Sequence, residues 1–497
     1  MKIIDSSSKK RFVFILALVL ALPSAVPAQL ISVKTLPIAA GDQFMLFPSQ
    51  NLGMGGDFIA LNDLLLDPFV NPAKGSRIEG TRLFTAPVFY NVSNDNGSGR
   101  ALPAGLLLGS NQWFGAAMLS LQELSYAERG LGPVFGPQGQ PVLLSDNSAR
   151  NLYAFGMAGT QLQGSNVSIG GSVFWAGLDA LEGVDLLYAG SQAIDQSGHV
   201  LDVRLGLLGE PAGGRAYEVL LLFNQLDMTH EVTYVDWFFD EPTPQPLLDT
   251  RVETNLDRTD TWGAHFGYVQ PLNADGWRIG GIFTTNYKTH PKIPNYEIMN
   301  IPRDPGNSWA FNLGIGVSRS TGPTTFAVDL ILEPIWSETW AEAEEPVTTA
   351  SGMIIPPGWK TVENAFQFIN AQVRMGFGAE YERVGFQLGL HVYSIDYELE
   401  QTDHVQEIKR KQDESWLEWS PTWSFAVTFP EIQIRYTGRL TTGTGLPGVA
   451  WTPAGTMRAE AFAAAADFIV APSGPLTLQD ANVMAHQFAV VIPLGVQ

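Results

Sequence analysis

The sequence predicts an all-β protein, a transmembrane antiparallel β-barrel of about 14 strands with a short N-terminal helical plug. Three observations carry this. Many segments alternate apolar and polar residues with period two. They run about 10 to 13 residues, whereas a soluble strand averages about 5 to 6 and a tilted membrane strand needs about 9 to 11. Short turns and long polar connections alternate between them, as in outer-membrane barrels.

The N-terminus reads as an export signal. Lys2, Lys9, Lys10 and Arg11 precede the apolar run Phe12 to Leu22, which is too short to span a bilayer as a helix. Val26-Pro27-Ala28 supplies a small-residue cleavage site. The expected organisation is a signal over 1–28, a plug segment over 29–80 and a barrel over 81–497. No later segment is a candidate transmembrane helix. The chain has no Cys, so its strands hold without disulfides.

The strands are read from their faces. Trp309, Phe311, Leu313, Ile315 and Val317 share one face, opposite Asn312, Gly314 and Gly316. Ile369, Val373, Met375, Phe377 and Tyr381 oppose Asn370, Gln372, Arg374, Gly376, Gly378 and Glu380. Val384, Phe386, Leu388, Leu390 and Val392 oppose Arg383, Gln387 and His391. Ile432, Ile434 and Tyr436 oppose Glu431, Gln433, Arg435 and Arg439. The apolar faces suit lipid and the polar faces a lumen.

Short turns fall near Gln161 to Ser165, Glu210 to Gly214, Pro271 to Gly276, Ser320 to Pro323 and at Glu382. Long polar connections are expected over Glu123 to Ala149, Thr229 to Thr259, Ser337 to Phe368 and Glu398 to Ser420. Pro430 removes a ladder donor, so Phe429-Pro430-Glu431 reads as a turn. Leu102 to Gly109 reads as a stretch that pairs incompletely. Trp175, Trp237, Trp262, Trp277, Trp336, Trp340, Trp416, Trp419 and Trp423 lie near strand ends, as in interfacial girdles. The last strand is expected over Met484 to Val496.

The segment Gln29 to Gly80 does not alternate. Gly53, Gly55 and Gly56 permit backbone geometry closed to other residues. Asp57 is placed as the cap of a helix through Ile59, Ala60, Asp63 and Leu64, ended by Pro68. Asn71-Pro72-Ala73 makes a turn into the first strand near Thr81. Asn51-Leu-Gly-Met-Gly-Gly-Asp57 followed by Asn71-Pro-Ala-Lys74 resembles the N-terminal plug of the FadL/TodX-like outer-membrane transporters, and the related PorV-like branch. The resemblance implies a plug built on Gly53, Gly55, Gly56, Asn71, Pro72 and Ala73, and hydrophobic small-molecule cargo such as long-chain fatty acids. The periodic segments count about 14 to 17 strands before parity, and the resemblance implies a 14-stranded barrel.

Composition excludes some functions. The chain has 29 basic and 50 acidic residues, a formal net charge of −21, which argues against nucleic-acid binding. The acidity fits solvated loops, or loops that hold divalent cations bridging to lipopolysaccharide. Arg278, Arg374, Arg435 and Arg439 are candidate lumen charges to receive a cargo carboxylate, and Arg374 or Arg435 to meet Asp63 and Asp67. No G-x-S-x-G, H-E-x-x-H or P-loop occurs, and the seven His have no ligand spacing. The expected function is passive uptake through the outer membrane, without enzyme activity, cofactor or metal. Its partners are membrane lipid, lipopolysaccharide and the cargo. The alternatives are a PorV-like adaptor that holds an exported protein for secretion, and a structural barrel without cargo.

Overall fold

A computed structural model describes residues 30–31, 37–41, 43–56, 58–94, 96–110, 112–126, 148–184, 193–239, 246–273, 275–290, 305–447 and 478–494. The expected signal and cleavage site, Asp57 and Val496 therefore lie outside the described residues, as does most of the connection from 123 to 149.

The wall begins with β1 (Thr81–Thr85), β2 (Val88–Val92), β3 (Gly97–Gly109), β4 (Trp113–Tyr126), β5 (Ser148–Gln161) and β6 (Val167–Leu178). It continues with β7 (Ala193–Gly209), β8 (Ala216–Phe239), β9 (Pro246–Pro271), β10 (Trp277–His290), β11 (Gly306–Thr321) and β12 (Thr324–Glu342). A small hairpin, β13 (Val347–Thr348) and β14 (Ile354–Ile355), interrupts it. β15 (Lys360–Tyr381), β16 (Val384–Asp403), β17 (Ile408–Thr428), β18 (Gln433–Pro447) and β19 (Leu478–Leu494) complete the wall. Each pairs antiparallel with its neighbours, and β19 closes on β1 and β2.

β1 and β2 both lie between β19 and β3, broken only at Ala86-Pro87, so they form one stave. The barrel thus has 16 staves, not about 14. Leu102 to Gly109 pairs with β4 throughout, which corrects the incomplete pairing expected of it. Pro430 does mark a turn between β17 and β18. Three expected long connections are instead largely strand: β8–β9, β12–β15 and β16–β17 extend as paired hairpins far past the length a bilayer requires. Polar residues on the outer faces of these extensions hid the strands, whose inner faces stay buried at Met228, Val232, Phe366, Phe368, Tyr397 and Leu399.

The faces alternate as predicted. On β4, Trp113, Leu119 and Leu121 are exposed while Phe114, Met118, Ser120 and Gln122 are buried. On β11, Trp309, Leu313 and Ile315 face outward, with Ala310 and Asn312 buried. Trp175, Trp262, Trp336 and Trp419 are outward and exposed, but Trp416 packs inward against two buried clusters.

Candidate functional site: the filled barrel interior

The N-terminal segment lies inside the cylinder. Its 3-10 helix Leu52–Met54 touches β15, β16, β17 and β18, and its 3-10 helix Pro72–Arg77 touches β3 to β7. β5 and β15 are eight staves apart in a 16-stave wall, so these are opposite walls. Only an object within the barrel reaches both.

Little of the segment is helical. The expected helix through Ile59 and Leu64 is absent; turns stand there, and the one α-helix among the described residues is Asp67–Val70. Pro68 sits in its first turn, where a missing N–H costs nothing, and so begins the helix it was expected to end. Asp63 organises the turns. Its carboxylate accepts from Ser49 Oγ (2.6 Å), Gln50 N (2.7 Å), Asn51 N (3.0 Å), Leu65 N (3.0 Å) and Leu66 N (3.0 Å). A fully buried carboxylate is thereby satisfied within its own segment.

The Asn71-Pro-Ala-Lys74 step docks the segment on the wall. Asn71 is fully buried; its Oδ1 accepts from Ala73 N (3.1 Å), capping Pro72–Arg77. Its Nδ2 donates to Glu218 of β8 (2.8 Å). Lys74 bridges Asp67 (3.3 Å) and Glu218 (3.1 Å), and Arg77 pairs with Asp67 (3.2 Å). Burial pushes the Asp67 carboxyl above its ordinary value, and Lys74 and Arg77 pull it back. The expected pairing of Asp63 and Asp67 with Arg374 or Arg435 is thus corrected: nearer donors of the same segment satisfy both. Arg374 donates to Gln372, and Arg435 reaches Glu380 and Ser424.

Glycines on the inner wall form the track the segment lies in. A Cβ on Gly376 or Gly389 would strike the Met54 backbone, and one on Gly170 would meet the Pro72 carbonyl at 2.7 Å. Gly280, Gly314 and Gly316 similarly admit Ile59; Gly206 admits Asn71 and Gly109 admits Ile78. Of the predicted motif, Gly53 presses on Ser424 and accepts from Thr422 Oγ1 (3.0 Å). Gly55 and Gly56 take φ of 105° and 121°, and Gly55 closes the first 3-10 helix. The track was the site feature missed in sequence; Gly314, Gly316, Gly376 and Gly378 on predicted lumen faces were its visible signal.

The lumen is divided in character. Against β1 to β8 the segment forms an apolar cluster that includes Leu46, Leu65, Phe69, Phe84, Phe114 and Phe155. Phe47 stacks on Phe69 at 4.3 Å between centroids, and Phe155 packs on Phe69 at 5.0 Å. Toward β9 to β18 the buried side chains are mostly polar, among them Thr284, Asn312, Asp329, Asn370, Gln387 and Ser424. Asp329 accepts from Ile59 N (2.9 Å), so both halves hold the segment. Phe69→Ala should destabilise this packing by about 3–5 kcal/mol, the usual cost of an aromatic cavity. The check is the denaturant midpoint at which Trp fluorescence reports segment release, compared with wild type.

Of the candidate cations, Arg374 lines the interior cavity beside Lys74 and Glu218, and Arg278 lines the mouth at the short-turn end. Arg435 and Arg439 line neither.

No protein-family model and no curated protein matches the chain. Among solved structures, it is similar to a Pseudomonas aeruginosa FadL homologue, with TM-score 0.42 and 10% identity over 90% of this chain and 99% of that one. It is similar to the CymD monoaromatic hydrocarbon channel, with TM-score 0.35 and 12% identity over 91% and 99%. It is similar also to the Pseudomonas putida toluene transporter TodX, with TM-score 0.36 and 9% identity over 89% and 96%.

Proposed function

We propose that this barrel carries hydrophobic small molecules across the outer membrane by diffusion, with segment 29–80 as a movable plug. One observation supports the reading above others: the lumen, which is polar in water-filled porins, here carries an aromatic and aliphatic cluster along one side. Apolar cargo would leave water for that side, driven by burial worth about 25 cal/mol per Å². Fatty-acid cargo is the finer form of this reading, with Arg374 to meet its carboxylate.

Native mass spectrometry of the detergent-purified barrel, with lipid extraction, tests it. The expected result is a bound apolar molecule that is lost from the Phe69→Ala variant. An empty barrel that also fails to take up an added apolar probe would contradict it.

A second reading, the protein-secretion adaptor, draws on the outer hairpin, where Met353, Ile354 and Trp359 are exposed to water. Exposed apolar groups of this size mark interaction surfaces. Co-purification of an exported protein, abolished by Ile354→Asp and Trp359→Asp, would favour it.

A further inference from the structure

Two openings adjoin on the side of β7 to β12. One is a cavity of about 60 Å³ between the segment and the wall. The other, of about 670 Å³, opens at the short-turn end, around the β7–β8 and β9–β10 turns. Asn62, Arg77 and Ala216 line both, so the boundary between them lies there.

Arg77 holds that boundary. It donates to Asn62 Oδ1 (3.2 Å) and Asp67 Oδ2 (3.2 Å), both of the segment, and to Glu210 Oε1 (3.1 Å) of the wall. Its two ion pairs are unequal. Asp67 is buried, with 3% side-chain exposure, whereas Glu210 is 43% exposed. Solvated ion pairs are weak and buried ones are costly to break. Arg77 therefore parts from Glu210 first and stays with its own segment.

The charge along this path is opposite to that of the chain. Among the described residues, Lys74, Arg77, Arg215, Arg278 and Arg374 line the two openings against the carboxylates Glu210 and Glu218, with Asp67 behind Lys74 and Arg77. Glu218 is already held by Lys74 and Asn71. Arg278 makes no hydrogen bond among the described residues and feels Glu210 and Arg77 only through space. The chain as a whole carries −21.

We propose that Arg77 is the latch of an exit passage along β7 to β10, and that the opened passage prefers anionic over cationic solutes. This rests on the transport reading and adds its route, gate and charge preference.

The test is conductance of the full-length barrel in planar bilayers, with folding checked by heat-modifiable gel mobility. Arg77→Ala, which also loses Asp67 and Asn62, should raise open occupancy about 10-fold, and Glu210→Gln up to about 5-fold, the reach of a partly solvated ion pair. In a KCl gradient the reversal potential should lie toward chloride, and Arg278→Gln in the Arg77→Ala background should reduce that preference. Arg77→Lys, which keeps a cation between Asp67 and Glu210, should leave the passage closed. A folded Arg77→Ala variant that conducts like wild type, or that prefers potassium, would overturn the proposal.

A second measurement separates the latch from the transport reading. The chain has no Cys, so Arg77→Cys with Glu210→Cys can be bridged by a bis-maleimide. Bridging should abolish both conductance and entry of an apolar fluorescent probe into liposomes. A bridged barrel that still admits the probe would overturn the latch and leave transport standing. Conductance that closes on bridging, with no probe entry at any stage, would support the latch and remove the transport reading.

Discussion

Gly376→Leu with Gly389→Leu should expel the N-terminal segment from the barrel while the wall still forms. Both glycines face the Met54 backbone so closely that a single added Cβ collides with main-chain atoms, which cannot swing aside as a side-chain end can. Overpacking at one such site costs about 1–3 kcal/mol, and two adjacent sites press on the same few residues. The wall hydrogen bonds between β15 and β16 do not depend on those positions carrying hydrogen. The double variant should therefore keep heat-modifiable mobility and gain protease cleavage within residues 38–78. Wild-type protease resistance in a correctly inserted double variant would mean that the segment does not lie in the glycine track.

Asp63→Ala should have the second large effect, because it removes the acceptor for five donors at once. Hydrogen bonds to a charged group are worth about 1.5–3 kcal/mol each; Leu65 N would be left buried without its acceptor, Gln50 and Leu66 half-buried, and Asn51 N would keep only Ser49 Oγ. A loss of several kcal/mol would exceed what the turns over residues 49–66 can absorb. Amide hydrogen exchange is the measurement: protection at Leu65 and Leu66 should fall to that of a solvated loop, while the strand amides of β10 and β11 stay protected. Asp63→Asn should be intermediate, since one oxygen still accepts. Unchanged protection at Leu65 and Leu66 would contradict the role given to the carboxylate.

The wall was largely legible in the sequence and the interior only in outline. Period-two alternation over Trp309–Val317 and Val384–Val392 marked strands whose outward faces are apolar, because lipid on one side and packed interior on the other enforce the period. Strand ends were not legible where β8, β9, β15 and β16 leave the membrane. There the outer face turns polar while apolar residues such as Phe366, Phe368, Tyr397 and Leu399 turn inward, so the pattern is inverted and interrupted by charge. The stave count followed from this, and from Ala86-Pro87, which divides one stave into two short strands.

Asn71-Pro-Ala-Lys74 was legible as a turn. That Asn71 caps one way and reaches Glu218 the other depends on residues 147 positions apart, which spacing does not encode. Asp63 and Asp67 were matched to distant arginines on charge alone, whereas backbone N–H groups and Lys74 lay closer. In a tight turn, local donors precede remote cations.

The account rests most on the N-terminal segment filling a barrel that would otherwise be open. A 16-strand barrel left empty encloses an aqueous channel. Single-channel conductance of the full chain, set beside a variant that lacks only residues 38–78, tests this directly. The account predicts a closed or rarely open full-length barrel and a large, steady, porin-like conductance after deletion. Equal conductance from two correctly inserted barrels would show that the segment does not close the lumen, and would contradict the plug, the track and the route together.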